Sequence, residues 1–328
     1  MLRATTALVF LFLVPSALGG QDTAADCVAL EDPALRLACY DRLFDRQSAA
    51  SPAREADGGN GTAAAATGEW LPDTTDFPRL IADPKEQQFF FSFGNLDFPA
   101  VRGDIAASLV GFGDRLGLYR FAPAADGAYW QINAVGGLFA QFDIDDFNDS
   151  DNGGDLLNAD YTVGVAALRI SGPHALRLKL FHESTHLGDE LLIEDPEFQL
   201  RRLNYSYEAL DALYAYTSGP WRAYGGGRVH LRRDPEGVQR WQLNAGLEYR
   251  GAMPLIFAAY PVAGFDLRAW NQNDWDPTIS LKGGVEWRGK DTDRYLRLLV
   301  EYLDGPSPFG QFFSDNLDYL GAGLYFGF

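Results

Sequence analysis

Tyr319-Leu-Gly-Ala-Gly-Leu-Tyr-Phe-Gly-Phe328 ends the sequence on a two-residue period. Leu320, Ala322, Leu324, Phe326 and Phe328 share one parity, while Gly and Tyr take the other. Side chains on a strand switch faces at every step, so this stretch reads as a strand with one apolar face. The same period recurs upstream. Trp130, Ile132, Ala134, Leu138 and Phe142 alternate with Gln131, Asn133, Gln141 and Asp143. Trp241, Leu243, Ala245, Leu247 and Tyr249 alternate with Gln242, Asn244, Glu248 and Arg250. A half-buried antiparallel sheet gives this pattern too, so alternation alone does not imply a membrane. The polar parity decides the matter. It carries Arg177, Lys179, Arg228, Arg240, Glu248, Lys282, Glu286, Arg288, Arg297 and Glu301. That density of charge suits a hydrated lumen inside an apolar, aromatic outer wall.

The final stretch also resembles the C-terminal signal of bacterial outer-membrane barrels, with spaced apolar residues and a terminal aromatic. The resemblance implies location in the outer membrane and recognition by the barrel-assembly machinery through this strand. The fold expected is all-β: a transmembrane antiparallel β-barrel of about 12 strands over residues 70–328, with a short N-terminal helical appendage. Strands are expected near 88–96, 104–120, 128–143, 159–171, 175–187, 200–216, 221–232, 239–250, 255–269, 278–288, 293–303 and 317–328. The first is the weakest, which leaves ten as the alternative. A closed barrel has no free edge, and a final strand is what closure needs.

The 328 residues carry a net charge of −18, which excludes nucleic acid as a partner because phosphates need Lys and Arg. Residues 1–19 read as a signal peptide: Arg3, an apolar run from Ala7 to Leu13 too short to span a bilayer, and the small-x-small site Ala17-Leu-Gly19. Residues 20–46 form a small helical unit around Cys27 and Cys39, expected to pair in an oxidising compartment. A loop that short is stabilised by about 3 kcal/mol in the chain-entropy model. Residues 47–69, small and low in complexity, read as a flexible linker.

The chemistry gathers in Leu176-Arg-Leu-Lys-Leu-Phe-His-Glu-Ser-Thr-His-Leu-Gly-Asp-Glu190. Leu176, Leu178 and Leu180 set the outward parity, and His182, Ser184 and His186 continue it. The acidic connection 144–158 is long and should be external, while Ser171-Gly-Pro-His174 is tight and should be periplasmic. The strand from 175 therefore runs outward, and His182 to His186 reach the external leaflet. His182-Glu-Ser-Thr-His186 matches the H-E-x-x-H pattern of zinc proteases, but that pattern needs a helix. On a strand, residues four apart stand about 13 Å apart. The pair His182-x-Ser184 is the better lead, since i and i+2 share a face and a serine nucleophile needs a neighbouring base.

His-x-Ser at the outer end of a barrel strand resembles outer-membrane phospholipase A and the lipid A deacylases. The resemblance implies Ser184 as nucleophile and His182 as base. In those families Asn follows the serine directly, whereas Thr185 stands here. Asn204 on the next strand is the match for the phospholipase residue that orients the histidine. The parity of Leu203, Tyr205 and Tyr207 would send Asn204 into the lumen unless a bulge intervenes. His186, Glu183 and Glu208 remain alternatives for that role. The acidic loop offers Asp149, Asp151 and Asp155 as a broken EF-hand-like Ca²⁺ candidate, with a solvated loop as the plainer reading. The phospholipase resemblance also implies Ca²⁺ and a homodimer; a hydrolase of this kind would take outer-membrane lipid as partner, and acidic outer loops can meet lipopolysaccharide through bridging divalent ions.

Leu80-Ile-Ala-Asp-Pro84, Gly117-Leu-Tyr-Arg120, Gln141-Phe-Asp143, His182-x-Ser-x-His-Leu-Gly-Asp-Glu190 and Trp221-Arg-Ala-Tyr-Gly-Gly226 together resemble a family of exported bacterial proteins catalogued only as a domain of unknown function. Two function classes follow: a lipid-acting acyl-ester hydrolase, or a non-catalytic barrel that is a narrow pore or a structural protein.

Overall fold

The computed structural model describes residues 32, 35, 36, 39, 68–74, 77–99, 101, 103–145, 154–194, 202–290 and 292–328. The signal peptide, Cys27, Asp149, Asp151 and nearly all of the linker lie outside them. The chain divides into two units, Met1–Ala64 and Ala65–Phe328. In the first, the carbonyl of Asp32 accepts from Arg36 N at 2.9 Å, a single helical turn. Its side chain accepts from Leu35 N at 3.4 Å. Cys39 is buried and disulfide-bonded.

The second unit is a barrel. A two-residue strand β1 (Glu69–Trp70) leans on the end of β3. The wall is β2 (Phe89–Phe98), β3 (Gly103–Arg120), β4 (Tyr129–Asp143), β5 (Asp155–Ser171), β6 (His174–Leu187), β7 (Ser206–Ser218), β8 (Trp221–Asp234), β9 (Trp241–Arg250), β10 (Tyr260–Trp270), β11 (Pro277–Arg288), β12 (Tyr295–Pro306) and β13 (Asn316–Gly327). Each strand pairs antiparallel with the next, and β13 returns to β2 with Phe326 opposite Phe89. Twelve strands thus close on themselves, and no wall strand keeps an unpaired edge. Every expected strand has its counterpart. The largest shifts are at β7 and β10, which start at Ser206 and Tyr260 rather than near 200 and 255. The short α1 (Asp189–Glu194) follows β6.

Outside the start of β7, the parity is as read. Lys179, Glu248, Lys282, Glu286, Arg297 and Glu301 are buried inside, while Val163, Leu180, Leu243, Leu298, Val300 and Leu320 are exposed outside. Arg240 departs from it: it precedes β9, is exposed, and donates to the carbonyls of His230 and Leu231.

The lumen is filled, which the alternation did not reveal. Residues 77–88 run through it, and all but Pro78 are buried. The segment meets the wall on nearly every side. Glu86 accepts from Arg177 at 2.9 Å on β6, and Asp83 from Arg268 at 2.7 Å on β10. Gln88 accepts from Tyr295 at 3.0 Å on β12. Arg79 pairs with Asp114 on β3, and Lys85 with Asp160 on β5. Its irregular backbone is satisfied by wall side chains. Ile81 N donates to Glu248 Oε1 at 2.6 Å, and Arg222 and Arg250 donate to the carbonyls of Pro78 and Arg79. Gly264 lets it lie flush, since a Cβ there would stand 3.0 Å from the Cβ atoms of Ile81 and Ala82. Asp83 also accepts from the Lys85 N–H at 2.8 Å, so its buried carboxylate is held from two sides.

The connection between β12 and β13 also folds inward. Phe309 and Phe312 are buried, and Gly310 N donates to the Asp160 carboxylate at 3.1 Å. Gln311 Nε2 donates to the carbonyls of Thr185 and Leu203 at 3.1 and 2.8 Å. A lumen plugged by residues 77–88 and roofed by 309–313 leaves no wide conduit. In planar bilayers, the full-length protein is expected to show no steady conductance above leak. A porin-like step would mean that the plug leaves the lumen.

Candidate active site

Strand direction follows from the connections. The ends bearing the 143–155 and 187–206 connections lie together, opposite the tight 171–174 and 218–221 turns. His182, Ser184 and His186 fall in the last residues of β6 before the long connection. Their parity is outward: Phe181, Glu183 and Thr185 are buried, whereas Leu180 and His186 are exposed and His182 and Ser184 half-buried.

Register builds a grid on this outer face. Val163, His182, Glu208 and Arg232 stand opposite one another across β5 to β8. Tyr161, Ser184, Ser206 and Asp234 form the next row. Within the first row His182 Nδ1 and Glu208 Oε1 are 3.1 Å apart, with side chains 43% and 37% exposed. An ionised carboxylate only accepts, so it draws the proton to Nδ1 and leaves Nε2 with a free lone pair on the imidazole. Ser184 Oγ, two residues along the same face, makes no side-chain hydrogen bond among the described residues. Catalytic contacts often close only around substrate.

The other sequence candidates occupy different places. Asn204 is exposed, not in the lumen, and its amide donates to Asp234 Oδ2 at 3.2 Å. The parity expectation took Tyr205 and Tyr207 as outward, but both are buried inside. Tyr207 donates to Glu183 at 2.8 Å and stacks on His230 with ring centroids 4.3 Å apart. A register shift does occur here, but on the far side of β7, between Glu208 and Ala209 against β8. His186 packs edge-on against Tyr161 at 5.6 Å. Glu183 faces inward, accepting from Thr162 at 2.7 Å, with Lys85 Nζ at 3.4 Å. Of the open alternatives for orienting His182, Glu208 is therefore the one in contact with it.

Asp155 is buried opposite Asp143, while its two partners in the Ca²⁺ candidate fall outside the described residues. Among the described residues no group of three His, Cys, Asp or Glu could hold a metal ion.

A family model described as protein of unknown function (DUF1207) matches residues 47–328. No curated protein matches the chain. Among solved structures, outer membrane phospholipase A from Escherichia coli is 12% identical, with 77% of this chain and 94% of that one covered at a TM-score of 0.49. The Salmonella typhi outer membrane phospholipase dimer with bound calcium is 11% identical, covering 78% and 95% at 0.47. The β domain of the Bordetella autotransporter BrkA is 16% identical, covering 73% and 97% at 0.38.

Proposed function

Because the chain belongs to the DUF1207 family of proteins of unknown function, membership brings no activity, and we propose one from the site: acyl-ester hydrolysis of outer-leaflet lipid by an outer-membrane barrel. The observation that carries it is His182 held through Nδ1 by Glu208, with Ser184 two residues along the same outward face. Ser184 Oγ attacks the ester carbonyl carbon as its proton passes to His182 Nε2. That proton leaves with the alcohol of the lysolipid. Water then attacks the acyl-serine with His182 again as base, the fatty acid departs, and the serine regains its proton. Glu208 is a positioning residue, since it acts through the imidazole.

The site sits at the outer end of an apolar wall, where acyl ester linkages meet headgroups. The plugged lumen further favours chemistry on the outer face over conduction through the barrel. The test is fatty-acid release from phospholipid and, separately, from lipopolysaccharide by detergent-refolded full-length protein. Ca²⁺ and chelator arms, with sedimentation in parallel, address the implied cation and homodimer. Release from either lipid supports the reading; none from protein shown to be folded moves it to a sealed structural barrel.

Glu208→Ala is expected to lower kcat about 100-fold with little change in KM, since it removes orientation rather than substrate contact. Glu208→Gln should recover part of that loss, because its amide oxygen still accepts from Nδ1–H. Wild-type kcat in Glu208→Ala would remove Glu208 from the mechanism.

A further inference from the structure

The end of the barrel opposite Ser184, which bears the 250–260 and 288–295 connections, holds a cavity of about 300 Å³ beneath the plug. Six guanidiniums line it: Arg79, Arg115, Arg250, Arg288, Arg294 and Arg297. Two of them share one carboxylate, Arg297 Nε at 2.6 Å and Arg288 Nε at 2.5 Å from Glu286. Arg250 is held by Glu248 at 2.6 Å, and Arg79 by Asp114. Glu286 and Asp293 are the acids in the lining, while Asp114 and Glu248 stand behind Arg79 and Arg250. Glu248 is shared with Arg222, so seven cations against Asp114, Glu248, Glu286 and Asp293 leave an excess of three positive charges. Arg115 and Arg294 have no side-chain ion pair or hydrogen bond among the described residues.

A solvated rim of arginines would be the ordinary reading, but Arg79 and Arg297 are buried and Arg115 is half-buried. Arg79 is 3% exposed, and its Nε is buried without a hydrogen-bond acceptor. Arg115 Nε is in the same condition. An unmet charged donor away from water is costly, and a guanidinium fork is matched by a tetrahedral oxyanion better than by chloride.

We infer that this vestibule binds a phosphate-class dianion, with Arg115 and Arg294 completing its ligand shell. The cavity opens within the barrel mouth and not on the outer wall, which favours a soluble phosphate or phosphate monoester over a lipid headgroup. The inference is independent of the hydrolase reading, since it lies at the other end of the barrel.

The experiment uses full-length protein in zwitterionic detergent at constant ionic strength, titrated calorimetrically with inorganic phosphate and with glycerol 3-phosphate against chloride. Phosphatidylglycerol and phosphatidylcholine nanodiscs, compared by thermal midpoint, form the second arm. Saturable binding is expected, weakened about tenfold or more in Arg115→Gln and in Arg294→Gln. Arg294 is exposed, so its variant keeps the test open if Arg115→Gln does not fold. A response to the soluble anions assigns a soluble ligand; stabilisation only by phosphatidylglycerol assigns the headgroup. No saturable response in either arm overturns the inference. Binding unchanged in both variants does so too, as an adventitious ion only.

Discussion

Ser184→Ala is expected to lose fatty-acid release by about 10⁴-fold or more while remaining folded. Both halves of that expectation come from position. The hydroxyl is the only group of this side chain that can attack an ester, and nothing on the outward rows beside it replaces it in the same geometry. Ser206 stands opposite on β7, but His182 lies across from Glu208 and not from Ser206. Stability should move by no more than about 0.5 kcal/mol, since Ser184 Oγ makes no side-chain hydrogen bond among the described residues and is not part of the packed lumen. The heat-modified gel shift of the variant would check that half. Release that persists in a folded Ser184→Ala protein would end the serine mechanism, whatever His182 and Glu208 do.

Lys85→Met is expected to have the largest effect on stability. Lys85 Nζ is paired with Asp160 and lies 3.4 Å from Glu183, with both carboxylates almost fully buried. The ammonium also lies over the rings of Phe139 and Phe309, at 4.7 and 5.7 Å from their centroids. Removing one partner of a buried pair leaves uncompensated charge, at a cost of about 3–5 kcal/mol. For a domain of this size that corresponds to a fall of roughly 10 °C in thermal midpoint. Lys85→Met with Glu183→Gln should regain part of the loss, because the second change removes one of the stranded charges. The loss would be read from the temperature at which the folded gel band disappears. An unchanged midpoint would mean that Lys85 does not anchor the plug.

The strand that ties these two experiments together is β6, and its residues separate what is local from what is not. Arg177, Lys179 and Glu183 inside, and Leu180, His182 and Ser184 outside, could be assigned from parity alone. Side-chain direction on a strand depends only on position modulo two, so neighbouring residues carry the whole signal. The same reasoning failed for Asn204 because the aromatic parity was taken as the outer one. Tyr205 and Tyr207 are instead part of an inner cluster with His230, Trp270 and Phe313. Aromatic residues suit either face of a plugged barrel, so their identity did not reveal direction.

Residues 77–88 carried no strand period, and their motif Leu80-Ile-Ala-Asp-Pro84 gave no hint of where they lie. Their place depends on partners far along the chain: Arg297 Nη1 donates to Gln88 across 209 residues, and Lys85 meets Asp160 across 75. Glu208 was legible as a carboxylate on the neighbouring strand, but its choice over His186, Glu183 and Asn204 required the β6–β7 register. By itself, the sequence determined the alternation, hence an antiparallel wall of ten or twelve strands, its charged interior and the outward row containing His182 and Ser184. Only the tertiary structure decided what fills that wall and which side chain meets His182 Nδ1. Parity is a property of adjacent residues, whereas register and plugging exist only once distant strands have paired.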